Sequence, residues 1–189
     1  MNQTKYSKYI NELSKCIEEM DYEILKKIED KIVETVKKGG NIYLLGNGGN
    51  AATATHWVAD FSKGIENIEG NKVNMYSLSD NISIVTAYAN DMSFEDIYYL
   101  QLKNKLKMED LLIILSASGN SKNLVKAIKY AKEQNILCIS IVGDFDGQVT
   151  RYSDLKFIIN SKNYGIIEDI QLTINHLISQ SIREGEKYE

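Results

Sequence analysis

The chain holds two histidines in 189 residues, and the first comes with a carboxylate at helical spacing. His56 and Asp60 stand at i and i+4, which on a helix puts them on one face with Cβ atoms about 6 Å apart. Such a pair can ligate a divalent metal or share a proton in acid–base chemistry. It is also found as a plain surface ion pair, or with the histidine satisfied in the core. Just upstream runs Gly46-Asn47-Gly48-Gly49-Asn50. Glycines there let the backbone take positive φ and approach a ligand, while N–H groups opening the next helix favour an anion; the same glycines could serve only the bend. A second turn, Leu115 to Asn123 (LSASGNSKN), carries Ser116, Ser118 and Ser121. Their hydroxyls can donate to phosphate oxygens, although serines also cap helices. Asp91, after Asn90, is a carboxylate in a loop beyond a helix end, either solvated or functional. Glu168 and His176 share the last helical stretch. Two polar turns of this kind point to one site for a phosphorylated small molecule.

Those turns need strands before them and helices after them. Asn41–Leu45 is short and apolar, and a helix is expected from Ala51 to about Lys63. Val73–Leu78 reads as a second strand, with Ser79-Asp80 able to cap a helix over Asn81–Ala89; Phe94–Leu106 reads as helical again. The all-apolar Leu111–Leu115 fits a strand buried on both faces of a parallel sheet, followed by a helix from about Ser121 to Lys132. Ile136–Val142 and Leu155–Ile159 are the fourth and fifth strands, and a helix runs from Ile167 to about Arg183. The intervening GDFDGQVTRYSD reads as a turn and short helix, since it lacks calcium-loop spacing. Ahead of all this, residues 4 to 38 show two helical stripes, Tyr6, Tyr9, Ile10, Leu13, Ile17 and then Ile24, Ile28, Ile32, Val36. These stripes can bury against the chain's own sheet or against another subunit. Alternating strands and helices give an α/β fold with a mainly parallel sheet, whose ligands bind beyond the carboxyl ends of the strands.

Composition narrows the class. Apolar residues are 43% and charged residues 25%, as in an ordinary globular protein, and the net charge of −4 leaves no basic footprint for nucleic acid. No signal-peptide core and no run of about 18 apolar residues is seen, so neither secretion nor a membrane span is expected. Cys16 and Cys138 are unpatterned thiols, consistent with a reducing, cytoplasmic setting.

Four segments together carry a family resemblance: LLGNGGNAATATHWVAD, LSDNISIVTAYANDMSFEDIYYLQL, SASGNSKN and IIEDIQLTINHLI. In this order they resemble the phosphoheptose isomerases, sugar isomerase (SIS) domain proteins. The resemblance implies one SIS domain over residues 1–189, with an N-terminal helical pair (1–38) suited to oligomer contacts and an α/β core (39–189). That core would be a three-layer sandwich around a five-stranded parallel sheet, in a homotetramer. It also implies interconversion of sedoheptulose 7-phosphate with an aldoheptose phosphate, for heptose and surface polysaccharide synthesis. Carried over, Ser116, Ser118 and Ser121 would hold the sugar phosphate, Asn47, Gly48, Gly49 and Asn50 would form the substrate loop, and Asn90, Asp91 and Glu168 would also touch substrate. His56, Asp60, Glu168 and His176 would bind zinc, with Asp60 and His176 moving protons. Departures are equally specific. Asp60 stands for a glutamate, Glu168 for a glutamine, Ala117 for a threonine and Asn50 for a serine, and Lys63-Gly64 replaces an expected arginine. Eight residues between Glu168 and His176 span about 12 Å of regular helix, so one metal meets both only by convergence of long side chains, an irregular start to the helix, or a site shared between subunits. The competing reading within the fold is a non-catalytic sugar-phosphate-binding or scaffold protein, including one that binds a replication initiator. A DNA-binding regulator fits less well, because no DNA-binding domain accompanies the core.

Overall fold

A computed structural model describes residues 4–65 and 67–185. Two helices come first, α1 (Lys5–Glu18) and α2 (Tyr22–Lys37). The core then runs β1 (Ile42–Leu45), α3 (Gly49–Gly64), β2 (Met75–Ser77), α4 (Ile82–Asp91), α5 (Tyr99–Lys103), β3 (Leu111–Ser116), α6 (Lys122–Glu133), β4 (Leu137–Gly143), β5 (Leu155–Ile159) and α7 (Tyr164–Gly185). All strand pairs are parallel, in the order β2-β1-β3-β4-β5. The carboxyl ends of β1 and β3, adjacent in the sheet, therefore aim both polar turns at one edge.

The layers follow from strand periodicity. Leu111, Ile113 and Leu115 pack with Trp57, Phe61 and the buried face of α2 and α7, while Leu112 and Ile114 pack with Leu102, Leu124 and Ile128 on the other side. Every residue of β3 is buried, as its unbroken apolar run requires. This is the expected three-layer α/β sandwich with a five-stranded parallel sheet. Residues of the N-terminal pair divide: Leu25, Ile28, Ile32 and Val36 of α2 are core, whereas Tyr6, Ile10 and Ile17 of α1 are exposed.

Several local expectations are corrected. The segment Phe94–Leu106 is not one helix but a 3-10 turn at Phe94–Asp96 and the five-residue α5, because Ile97, Tyr98 and Leu102 must all reach the core. The cap of α4 is Asn81, whose carboxamide oxygen accepts from the Ile84 N–H, and not Ser79-Asp80. Asn90 and Asp91 form the last turn of α4 and not a loop beyond it.

α1 is fastened to α7 by the Tyr9 hydroxyl, which donates to Asp169 at 2.6 Å. That bond, then burial, pushes the Tyr9 pKa up to about 12 from 10.0. The bond's contribution is present in full below pH 10 and is lost as pH rises through about 12. Tyr9→Phe is expected to cost about 0.5 kcal/mol, small because the pair is open to water, and to abolish this alkaline dependence. Thermal melts at stepped pH, followed by the single tryptophan, would check it.

Candidate active site

The two turns build one polar cup. Gly48 has φ +57° and precedes the first turn of α3. Asn47 and Asn123 exchange reciprocal amide hydrogen bonds, each 2.9 Å, which tie the glycine turn to the start of α6. The Tyr98 hydroxyl donates to the Gly46 carbonyl and lies 3.2 Å from Asn47 Oδ1, while Ser79 Oγ donates to the same carbonyl at 2.9 Å. Burial raises the Tyr98 pKa, so the hydroxyl stays a donor.

Within this frame a cleft of ≈ 360 Å³ is walled by Asn47 to Asn50, Ser116 to Ser118, Ser121, and Tyr164 and Glu168 of α7. Ser121 occupies the N-cap position of α6 yet makes no side-chain capping bond, so capping does not account for its hydroxyl. Ser116 Oγ accepts from the Gly119 N–H at 3.0 Å and Ser118 Oγ from the Asn120 N–H at 3.2 Å, bonds that hold the loop and leave each hydroxyl proton to donate. The Glu168 carboxylate accepts from Asn50 Nδ2 at 3.1 Å and lies over Gly49, where an added Cβ would meet it at 2.3 Å.

A second group forms further along α3 and α7. Asp60 Oδ2 lies 3.3 Å from His56 Nε2 and 3.5 Å from His176 Nε2, and the two Nε2 atoms are 3.3 Å apart. Three donors at about 2.0–2.1 Å from a tetrahedral zinc stand about 3.3–3.4 Å from one another, so this triangle has the right size for such an ion. The donor set, two imidazoles and a carboxylate, is also that of a zinc site with a coordination position left for water or substrate. Next to it a groove of ≈ 480 Å³ runs past Lys63, Gln180 and Arg183. The Arg183 guanidinium comes within 3.8 Å of where a Gly64 Cβ would stand, bringing positive charge to the end of α3 where the resemblance expects an arginine.

The expected residues thus fall into three places. Asn47, Gly48, Gly49, Asn50, Ser116, Ser118, Ser121 and Glu168 line the cup. His56, Asp60 and His176 form the second group. Glu168, expected also as a metal ligand, is not brought to them: it sits inside the regular part of α7, and its carboxylate turns to the glycine loop. Asn90 and Asp91 reach neither place; both are exposed at the end of α4 and bond to each other at 2.8 Å. Tyr98, Asn123, Tyr164 and Asn175 also belong to these sites, and their residue types and spacing in the sequence do not mark them. Asn123 lay inside the serine motif, but nothing local marks an asparagine as the partner of another 76 residues away.

The SIS domain profile matches residues 5–143. The phosphoheptose isomerase of Helicobacter pylori strain P12 is 33% identical over 90% of this chain and 88% of its own length. Phosphoheptose isomerase 1 of Campylobacter jejuni is 34% identical over 86% of this chain and 89% of its own. In three dimensions, the phosphoheptose isomerase of Neisseria gonorrhoeae superposes with a TM-score of 0.85 at 22% identity, each chain covered to 95%.

Proposed function

The chain belongs to the SIS-domain family and to its phosphoheptose isomerases, and from that premise we propose the reaction and the residues that carry it. It is an aldose–ketose isomerase that interconverts sedoheptulose 7-phosphate and D-glycero-D-manno-heptose 7-phosphate, a step toward surface heptose. The observation that carries the reading is the meeting of both histidines on one carboxylate, Asp60.

Ketose-to-aldose conversion removes a proton from C1, returns one to C2 and shifts another between the two oxygens. Asp60 takes the proton from C1 and returns it to C2, and His176, through the ring nitrogen that does not face the metal triangle, donates to the C2 oxygen and recovers the proton that the C1 oxygen gives up. The serine turn and the opening of α6 hold the phosphate, so binding energy from the non-reacting end orients the reacting one. Glu168, held by Asn50, presents its carboxylate to the sugar hydroxyls. His56, Asp60 and His176 would hold Zn²⁺, which when bound polarises the substrate oxygen as a Lewis acid. Between the cup and this group lie eight residues of α7, about 12 Å. A ligand anchored in the cup reaches the histidines with an extended carbon chain, or the two halves come from neighbouring subunits. Exposed Tyr6 and Ile10 on α1, and Ile82, Met92 and Phe94 around α4, support assembly, for which we propose the tetramer. Asn90 and Asp91, exposed at the end of α4, would act across such a contact. We assign the reaction to the cytoplasm, where Cys16 and Cys138, both free and buried, stay reduced.

Purified protein incubated with sedoheptulose 7-phosphate, after chelation and after Zn²⁺ addition, should form the aldose only with metal. Ser121→Ala should raise KM about 10-fold or more by losing a bond to a charged oxygen, with a smaller change in kcat. A folded oligomer that binds the ester but yields no aldose would instead favour the binding or scaffold role.

A further inference from the structure

α7 turns an apolar stripe into the core: Ile167, Ile170, Ile174, Ile178 and Ile182 are all buried. Two amides interrupt the stripe. Gln171 and Asn175 are both 0% exposed, and in each the side-chain oxygen is buried without a partner. The fold accounts for Gln171, whose Nε2 donates to the Ile141 carbonyl at 2.9 Å and faces the Ser116 carbonyl at 3.4 Å, closing the ends of β3 and β4. Asn175 is different, because its Nδ2 donates to Asp60 Oδ2, the same oxygen that faces both imidazoles. A carboxylate oxygen opposite an amide admits only the NH₂ end, so chemistry fixes the orientation. The buried, unpartnered Oδ1 is then a standing cost that a leucine at this position would avoid.

We propose that Asn175 is the positioning residue for Asp60. Asp60 rises from α3 with its side chain 32% exposed, and its contacts to the imidazoles are long, 3.3 and 3.5 Å. Free rotation would carry the carboxylate into the groove beside Lys63. A donor anchored in the core between α3 and α7 prevents this and keeps Oδ2 at the apex of the histidine pair. The effect on turnover rests on the isomerase reading above; the effect on the geometry of Asp60 does not.

The test uses the full-length oligomer with Asn175→Leu, which keeps the branched four-atom shape of the side chain but not the donor. Melting should be unchanged or higher. Co²⁺ affinity of the metal-free protein, read by the visible spectrum, should fall about 10- to 100-fold, and kcat should fall by a similar factor while KM holds within about twofold. In an Asp60→Asn background the same change should add almost nothing, since Asn175 acts through Asp60. A crystal structure of Asn175→Leu should show the Asp60 carboxylate withdrawn from the imidazoles. The proposal is overturned by a folded Asn175→Leu in which Asp60 keeps both contacts, or by losses that add to those of Asp60→Asn. Should the leucine variant not fold, Asn175→Ala decides by the same readings. Wild-type protein inactive on sedoheptulose 7-phosphate would remove the substrate assignment, while the Asp60 position in the variant crystal still decides this one.

Discussion

Asp60→Asn is expected to lower kcat about 10²- to 10⁴-fold with KM little changed, the range a positioned proton-transfer group contributes. Asparagine is nearly isosteric and keeps an oxygen for the Asn175 amide, so the change removes charge and basicity with little effect on packing. His176→Ala should fall in the same range. The double variant should lose little more than either alone, because the residues act on one proton path and share contacts within 3.5 Å. The single tryptophan, Trp57, fully buried one turn from Asp60 on α3, reports whether each variant is folded. Wild-type turnover in a folded Asp60→Asn would remove the carboxylate from the chemistry. Full activity in His176→Ala would likewise exclude the imidazole. Asp60→Glu is informative in the opposite sense. It restores the length that the resemblance expects, but the extra methylene must displace an oxygen already placed by three neighbours.

A large loss of stability is expected from Gly46→Ala. A Cβ there would stand 2.4 Å from the Asn50 carbonyl oxygen and 2.5 Å from its carbon, both backbone atoms of the first turn of α3, so no side-chain rotation relieves the overlap. The Gly46 carbonyl also receives Tyr98 and Ser79, and moving it loosens the bracing beneath the cup. A loss of about 3 kcal/mol or more follows, or roughly 6–12 °C in Tm for a chain of this size. Gly48→Ala separates this from backbone conformation. Its Cβ would meet nothing within 4 Å, but φ is +57°, so only local strain of about 1–3 kcal/mol applies. Urea unfolding of the two variants should rank Gly46→Ala as the weaker protein. Equal stability would mean that the turn relaxes by shifting the start of α3.

How much of this was legible in the sequence varies by element. β3 extends the expected strand by one residue to Ser116, because a continuous apolar run between polar turns has few alternatives, and β5 appears at Leu155–Ile159 as read although the exposed Lys156 interrupts its apolar residues. The segment after α4 reads in sequence as one helix, and the fold breaks it. Its apolar spacing is nearly helical, but the need to seat Tyr98 under the Gly46 turn overrides local preference. For the site, residue types and order were enough to mark both turns and to bring His56, Asp60 and His176 to notice.

By itself, then, the sequence determined the order of strands and helices, the family, and the chemical character of the two turns, since each depends on neighbours a few residues apart. Tertiary structure alone decided that Glu168 serves the cup while His176 serves the carboxylate, because a rigid helix holds their side chains two turns apart and each meets whatever α3 places opposite. It alone paired Asn47 with Asn123 across 76 residues and set Asn175 against Asp60 across 115. Such contacts follow from how the helices pack on the sheet, a property of the whole core that no local stretch of the chain encodes.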